Sequence, residues 1–197
     1  MTKSRSNAVA PAAKGQLVVG SGTDASTTLA VASTAGYVLT VDSAETTGLK
    51  WAAGGSAFKG VLVSNSAGQS ISNNTTTTLN FDTETYDTDS FHSTSTNTSR
   101  LTVPSSGYYF VFAKVRWAGN SSGYRYILFR KNGTTSYQDI LNYTPNASDF
   151  SQYFGLALPA SANDYFELRV TQNSGGSLEL RGDDNGQVAF GCYYLGA

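Results

Sequence analysis

Apolar and polar residues alternate with a period close to two along most of this chain, and scarcely any window carries apolar residues at helical spacing. The pattern predicts strands near FKGVLVSN, TTTTLNFD, SRLTVP, GYYFVFAKVRWA, YRYILFRK, SYQDILNYT, SQYFGLALP, DYFELRVTQN and QVAFGCYYLG, with turn residues between them. Eight to ten strands over roughly 140 residues point to a jelly-roll sandwich. The fold class expected is therefore all-β.

The alternation also says which residues share a face. In GYYFVFAKVRWA, Tyr109, Val111, Ala113, Val115 and Trp117 point one way, and Tyr108, Phe110, Phe112, Lys114 and Arg116 the other. The last strand offers Phe190, Cys192 and Tyr194 on one side and Tyr193 and Leu195 on the other. An antiparallel sheet that stands alone usually solvates one face, so strands apolar on both faces predict a covering subunit.

Ahead of these strands the pattern is thinner. Residues 1–14 are small, polar and basic without periodicity and read as an arm that is flexible or ordered by a partner. Residues 15–53 hold four short apolar bursts, QLVVGSG, TTLAVAS, YVLTVDS and GLKWAA, which read as a small β leader. Residues 54–57 close the glycine-rich stretch AAGGSA and read as a linker, which leaves 58–197 as the main domain. The leader has few large apolar residues, too few for one copy to offset an ordering entropy of about 1–2 kcal/mol for each residue. Several copies around one axis would share a core built from Leu17, Val19, Tyr37, Leu39, Leu49 and Trp51, the residues expected to trimerise the leader or attach it to a larger particle.

Composition narrows the partners. Of 197 residues only 14% are charged, the formal net charge is -1, and no Lys/Arg cluster is available to neutralise a run of phosphates, so nucleic acid is not an expected partner. No apolar run is long enough for a membrane-spanning helix, and the first residues lack the apolar stretch of a secretory signal. No membrane insertion is expected. The single Cys192 rules out an intrachain disulfide framework, so durability would come from packing and oligomerisation.

Two resemblances extend this reading. The spacing of Phe58, LNFDT (79–83), Tyr86-Asp87, SRLTVP (99–104), GYYFVF (107–112), FRKNGT (129–134), LPASANDYFEL (158–168) and the terminal FGCYYLG resembles the tumour necrosis factor-like jelly roll of complement globular heads. The resemblance covers 58–197 and implies a ten-stranded sandwich forming a tight homotrimer, with aromatic-rich strands and the C-terminal strand near the three-fold axis. On that basis Tyr108, Phe110, Phe112, Cys192 and Tyr194 are expected at the trimer interface. The leader is similar to a segment found in bacteriophage tail fibres and other virion appendage proteins, through its K-G-x-L-x-V-G and Y-V-L-T-x-D-S-x-x-x-x-G-L-K-W frames. There is no collagen-like G-X-Y stalk. Together these imply a capsid or tail fibre, spike or decoration protein on a virion surface. Its leader would bind capsid or tail proteins, and its head would be displayed to a host-surface glycan or protein.

Catalytic chemistry finds little to work with. His92 is the only histidine, and there is no G-x-S-x-G elbow and no glycine-rich phosphate loop. The acidic run Asp82, Glu84, Asp87 and Asp89 reads as a solvated loop rather than a cation site. Neither a metal nor a cofactor is expected. A depolymerase could draw its pair of carboxylates from this run or from Asp183 and Asp184, and Arg181-Gly182-Asp183 reads as a turn before it reads as an adhesion motif. The tyrosines are too numerous for one small core. Tyr124, Tyr137 and Tyr143, nearer strand ends, are the candidates for contact with a ligand. A stand-alone trimeric glycan- or protein-binding module and a surface-polysaccharide depolymerase are the alternatives to the virion appendage.

Overall fold

In a computed structural model the described residues are 9–23, 25–54, 58–142, 147–182 and 188–197. They form strands and no helix. The chain divides into two compact units, Met1–Ala57 and Phe58–Ala197.

The first unit holds two hairpins. Strands β1 (Leu17–Gly22) and β2 (Ala25–Leu29) pair antiparallel, and so do β3 (Tyr37–Val41) and β4 (Leu49–Ala53). The register of the second hairpin sets Tyr37 opposite Ala53, Leu39 opposite Trp51 and Val41 opposite Leu49, so these six side chains share one face. Asp42, capping the turn through Ala44 N–H, pairs with Lys50 at 2.5 Å. The Trp51 indole donates to Ala30 O at 2.6 Å. None of the described residues in this unit is buried.

The second unit is a sandwich of two sheets. Its strands are β5 (Gly60–Ser64), β6 (Gln69–Ile71), β7 (Thr77–Thr78), β8 (Thr83–Asp87), β9 (Arg100–Thr102), β10 (Gly107–Trp117), β11 (Arg125–Lys131), β12 (Thr135–Asn142), β13 (Phe150–Ala160), β14 (Tyr165–Gln172), β15 (Leu178–Leu180) and β16 (Ala189–Gly196). One sheet runs β6-β15-β10-β16-β5-β8, with β13 along the free side of β10; the other runs β12-β11-β14-β7, with β9 also on β14. Twelve strands occur among its described residues where ten were expected, and β6, β8 and β15 lie outside the segments that the alternation marks. The short pieces β6 and β15 pair with each other, and β15 meets β10 at Trp117 beyond the last β16 pair at Lys114.

The core lies between the sheets. Tyr109, Val111, Val115 and Trp117 face inward from β10, Phe190 and Cys192 from β16, and Ile127, Phe129, Phe166, Leu168 and Val170 from the opposite sheet. Phe129 joins the layers, stacked on Phe154 at 3.8 Å and set 5.8 Å from Phe190. The buried Trp117 N–H donates to Gln152 Oε1 at 2.7 Å, which satisfies a polar atom that water cannot reach. Beside it the guanidinium of Arg125, 2% exposed, donates to the carbonyls of Asn120, Ser122 and Tyr124 and so fixes the β10–β11 turn. Burial lowers the pKa of this arginine. The β11–β12 turn takes Asn132 and Gly133 through positive φ, and Asn132 then bonds Asp164 and Tyr165 N–H across to β14.

Two expectations are corrected. TTTTLNFD contributes only Thr77–Thr78 to a ladder, although Leu79 and Phe81 are buried. The acidic run is no free loop: Thr83–Asp87 is an edge strand on β5, and its carboxylates hold the surrounding turns. Asp82 accepts from Ser66, Asp87 from Phe91 and His92 N–H, and Asp89 pairs with Lys59.

Candidate assembly face

Strand β10 is the centre of a broad aromatic surface. Its outward residues Tyr108, Phe110 and Phe112 lie beside the outward residues of β16 and β13, because Phe110 pairs with Tyr193 and Ala157, and Phe112 with Gly191 and Gly155. Phe110 stacks on Phe112 at 6.0 Å and approaches Tyr193 at 5.3 Å; Phe112 lies 5.9 Å from Tyr193. Phe58 extends the cluster to Tyr86 at 5.6 Å and Tyr193 at 6.4 Å. Burial raises the pKa of the Tyr86 hydroxyl.

Two glycines let these rings lie flat. A Cβ on Gly155 would sit 2.5 Å from the Phe110 ring, and one on Gly191 would sit 2.5 Å from the Phe112 ring and 2.7 Å from Val61 O. A shallow cavity of about 490 Å³ opens over this floor, lined by Leu62, Phe110, Phe112, Lys114, Tyr153 and Gly155 among others. Lys114 lies 5.7 Å from the Tyr153 ring. Farther along β10 the face turns charged: Asp149 accepts from Arg181 at 3.0 Å and lies 3.6 Å from Arg116, and its pKa is lowered chiefly by the Arg181 bond.

Exposure is one-sided. Among the second-unit residues whose side chains are described, a set without 138–142, the large apolar side chains left exposed are Phe58, Tyr108, Tyr153 and Leu195, and all belong to this face. The outward positions of β14 on the other sheet are Tyr165, Glu167, Arg169 and Thr171. Scattered apolar residues are ordinary on a surface, whereas a contiguous patch of them on one sheet marks an interaction site.

The residues expected at an interface divide between the two faces. Tyr108, Phe110 and Phe112 lie on the outward face. Cys192 does not: it is 0% exposed in the chain's own core, paired opposite Val111, and burial pushes its thiol well above the ordinary range. Tyr194 shares that inward side and packs on Tyr109 at 5.3 Å. The outward residues of the last strand are Tyr193 and Leu195, on the side away from Cys192 and Tyr194. Tyr153, Gly155 and Gly191 were also missed. A small residue across from a large ring was the signal available.

Of the tyrosines expected to contact a ligand, Tyr124 and Tyr137 lie apart along the β11–β12 pair. Tyr124 precedes β11 and its carbonyl holds Arg125, while Tyr137 lies opposite Phe129 and packs against the core. Tyr143, Asp183 and Asp184 lie outside the described residues. Arg181 is committed to Asp149 and Glu179. His92 cannot serve as a general base to solvent, since its side chain is 0% exposed, with Nδ1 at 2.8 Å from Glu84 and Nε2 at 3.1 Å from Thr98 O. No group of three or more His, Cys, Asp or Glu side chains suited to a metal occurs among the described residues. In the leader, Tyr37, Leu39, Leu49 and Trp51 share one face of the β3–β4 hairpin, and Leu17 and Val19 share one face of β1.

The fold is an all-β jelly-roll sandwich of the tumour necrosis factor and complement globular-head kind. Solved structures that share it include murine APRIL, with a TM-score of 0.54, 9% identity, 71% of this chain covered and 100% of that chain. Eiger TNF from S. frugiperda gives 0.52 and 16% identity over 71% of this chain and 94% of that one. The globular domain of zebrafish complement 1qA protein gives 0.51 and 11% identity over 70% and 97%. At these identities the likeness is one of fold. No family model matches the chain, and no curated protein matches it in sequence.

Proposed function

We propose that this chain is a homotrimeric appendage protein: three jelly-roll heads pack through the β10–β13–β16 face, and three leaders join them to a larger particle. The observation that carries the reading is the confinement of the head's exposed Phe58, Tyr108, Tyr153 and Leu195 to one sheet face. A sheet surface of this kind is usually covered by another subunit. The fold is consistent with this reading, being shared with the globular domain of zebrafish complement 1qA protein over 70% of this chain.

The leader supports attachment as well as trimerisation. It has hairpins but no buried side chain among its described residues, so a single copy gains little from folding it. Its resemblance to virion appendage segments makes a phage capsid or tail the proposed particle, with the protein on the virion surface and the head turned to a host glycan or protein. The stand-alone trimeric binding module is the second reading, favoured by the same face without reference to the leader.

Light scattering of the full chain tests the trimer, and a monomer at micromolar concentration refutes it. Mass spectrometry of purified particles tests the setting. A copy number matching capsid symmetry supports the head location, a few copies support the tail, and absence refutes the virion reading.

A further inference from the structure

A polar groove lies between the β5–β6 turn, the β7–β8 link and the loop before β9, away from the aromatic face. Its lining includes Asn65, Gln69, Asn80, Asp82, Thr94 and Thr98, and its volume is about 320 Å³. Asn65 is 6% exposed, and its side-chain oxygen is buried without a hydrogen-bond partner among the described residues. Buried acceptors are almost always satisfied, so this one is open to a donor brought by a ligand.

The donors close by are already committed. Ser66 gives both its N–H and its hydroxyl to Asp82, at 2.8 and 2.6 Å, and Thr83 gives its hydroxyl to the same carboxylate at 2.9 Å. Gln69 spends its amide on the Asn80 backbone. Thr98 donates to Asn80 Oδ1 at 3.2 Å, which leaves the Asn80 N–H donors directed elsewhere. The groove thus sets an unmet acceptor and a residual carboxylate lone pair beside amide donors and the exposed Thr94 hydroxyl.

That mixture selects a ligand class. A cation would use the acceptors but would meet the Asn80 amide hydrogens and a carboxylate already accepting three bonds. An anion would meet the charge of Asp82, whose pKa is lowered chiefly by the Ser66 hydroxyl. Vicinal hydroxyls donate and accept side by side and so fit both kinds of partner. Phe81 is 1% exposed and offers no ring for stacking, so recognition here is by hydrogen bonds. The volume is at the low end of the usual ligand range of about 300–1,000 Å³, enough for one pyranose ring. We propose that this groove binds a single neutral saccharide unit, with Asn65 and Asn80 as its principal contacts.

The groove shares no residue with the aromatic face, so a monomeric result would refute the trimer and leave this site standing. The test is a titration of the ¹⁵N-labelled full chain with the methyl glycosides of glucose, galactose, N-acetylglucosamine and rhamnose, and separately with calcium chloride. The expected result is saturable shifts of the Asn65 and Asn80 side-chain amides by at least one glycoside at millimolar concentration. Asn65→Leu and, as a variant on an exposed residue, Thr94→Val should each weaken that binding about tenfold, the loss of one hydrogen-bonding partner. A response to calcium alone, shifts centred on Tyr124 or Tyr137, or an intact spectrum unmoved by every glycoside overturns the proposal.

Discussion

Replacing Tyr153 by Ser should break the trimer without unfolding the head. Tyr153 is 62% exposed on the aromatic face. An aromatic side chain presents about 150–250 Å², so roughly 120 Å² of this one awaits cover, worth about 3 kcal/mol at about 25 cal/mol per Å². The hydroxyl must still find a partner when covered, which lowers the figure to about 2 kcal/mol per chain. Three chains lose about 6 kcal/mol together, and because the midpoint concentration of a monomer–trimer equilibrium follows the square root of its constant, that midpoint should rise roughly 100-fold. Within one chain the substitution removes little beyond the Lys114 contact, about 0.5–1 kcal/mol. Sedimentation across a dilution series reads the midpoint, and thermal melting of the head reads the fold. Ser136→Ala, at an exposed position of β12, is the control and should move neither. A midpoint for Tyr153→Ser that stays with the control, while the parent is trimeric, would refute the assignment of this face.

Gly191→Ala should destabilise the head by about 1–3 kcal/mol, because the added methyl meets Val61 O as well as the Phe112 ring; denaturant titration measures it. Gln152→Leu leaves the Trp117 N–H buried and unpaired, and a loss of about 1–3 kcal/mol in the same assay is expected. Asp164 has a pKa of about 2: burial raises it, and bonds from Lys131, Asn132 and Ser161 N–H outweigh that. A depressed carboxylate contributes stability that is present above its unfolded pKa of about 3.9 and is lost as pH falls toward 2, so Asp164→Asn should lose about 1–2 kcal/mol at neutral pH and show a flatter acid-denaturation profile below pH 4. Trp51→Ala should loosen trimerisation or particle attachment while the melting of the head stays within error; it removes the indole bond to Ala30 and the partner of Leu39.

Strand β10 was legible almost to the residue, because eleven alternating positions leave no competing period. The pieces β6 and β15 were not, since three residues carry no periodicity and become strands only by pairing far along the chain, β6 with β15 and β15 also with β10. TTTTLNFD misled for a different reason. Its alternation reflects burial of Leu79 and Phe81, while Gln69 bonds the Asn80 backbone where a ladder partner would stand. The assembly face was half legible. On β10 the outward set was visible, but on β16 both parities are apolar, and only the register of Phe110 on Tyr193 and Val111 on Cys192 decides which side faces out. The polar groove could not be read at all, because its walls come from three turns separated by up to 33 positions between Asn65 and Thr98.

The absence of any buried side chain from the described leader sets an order of events. The head carries its own core and folds at a rate that does not depend on how many copies are present. The leader, on the trimeric reading, becomes ordered only when three chains meet, and the speed of that meeting rises steeply with their number. Accumulation of the protein would then act as its own clock, with the leader unstructured while copies are few and set in place once they are many.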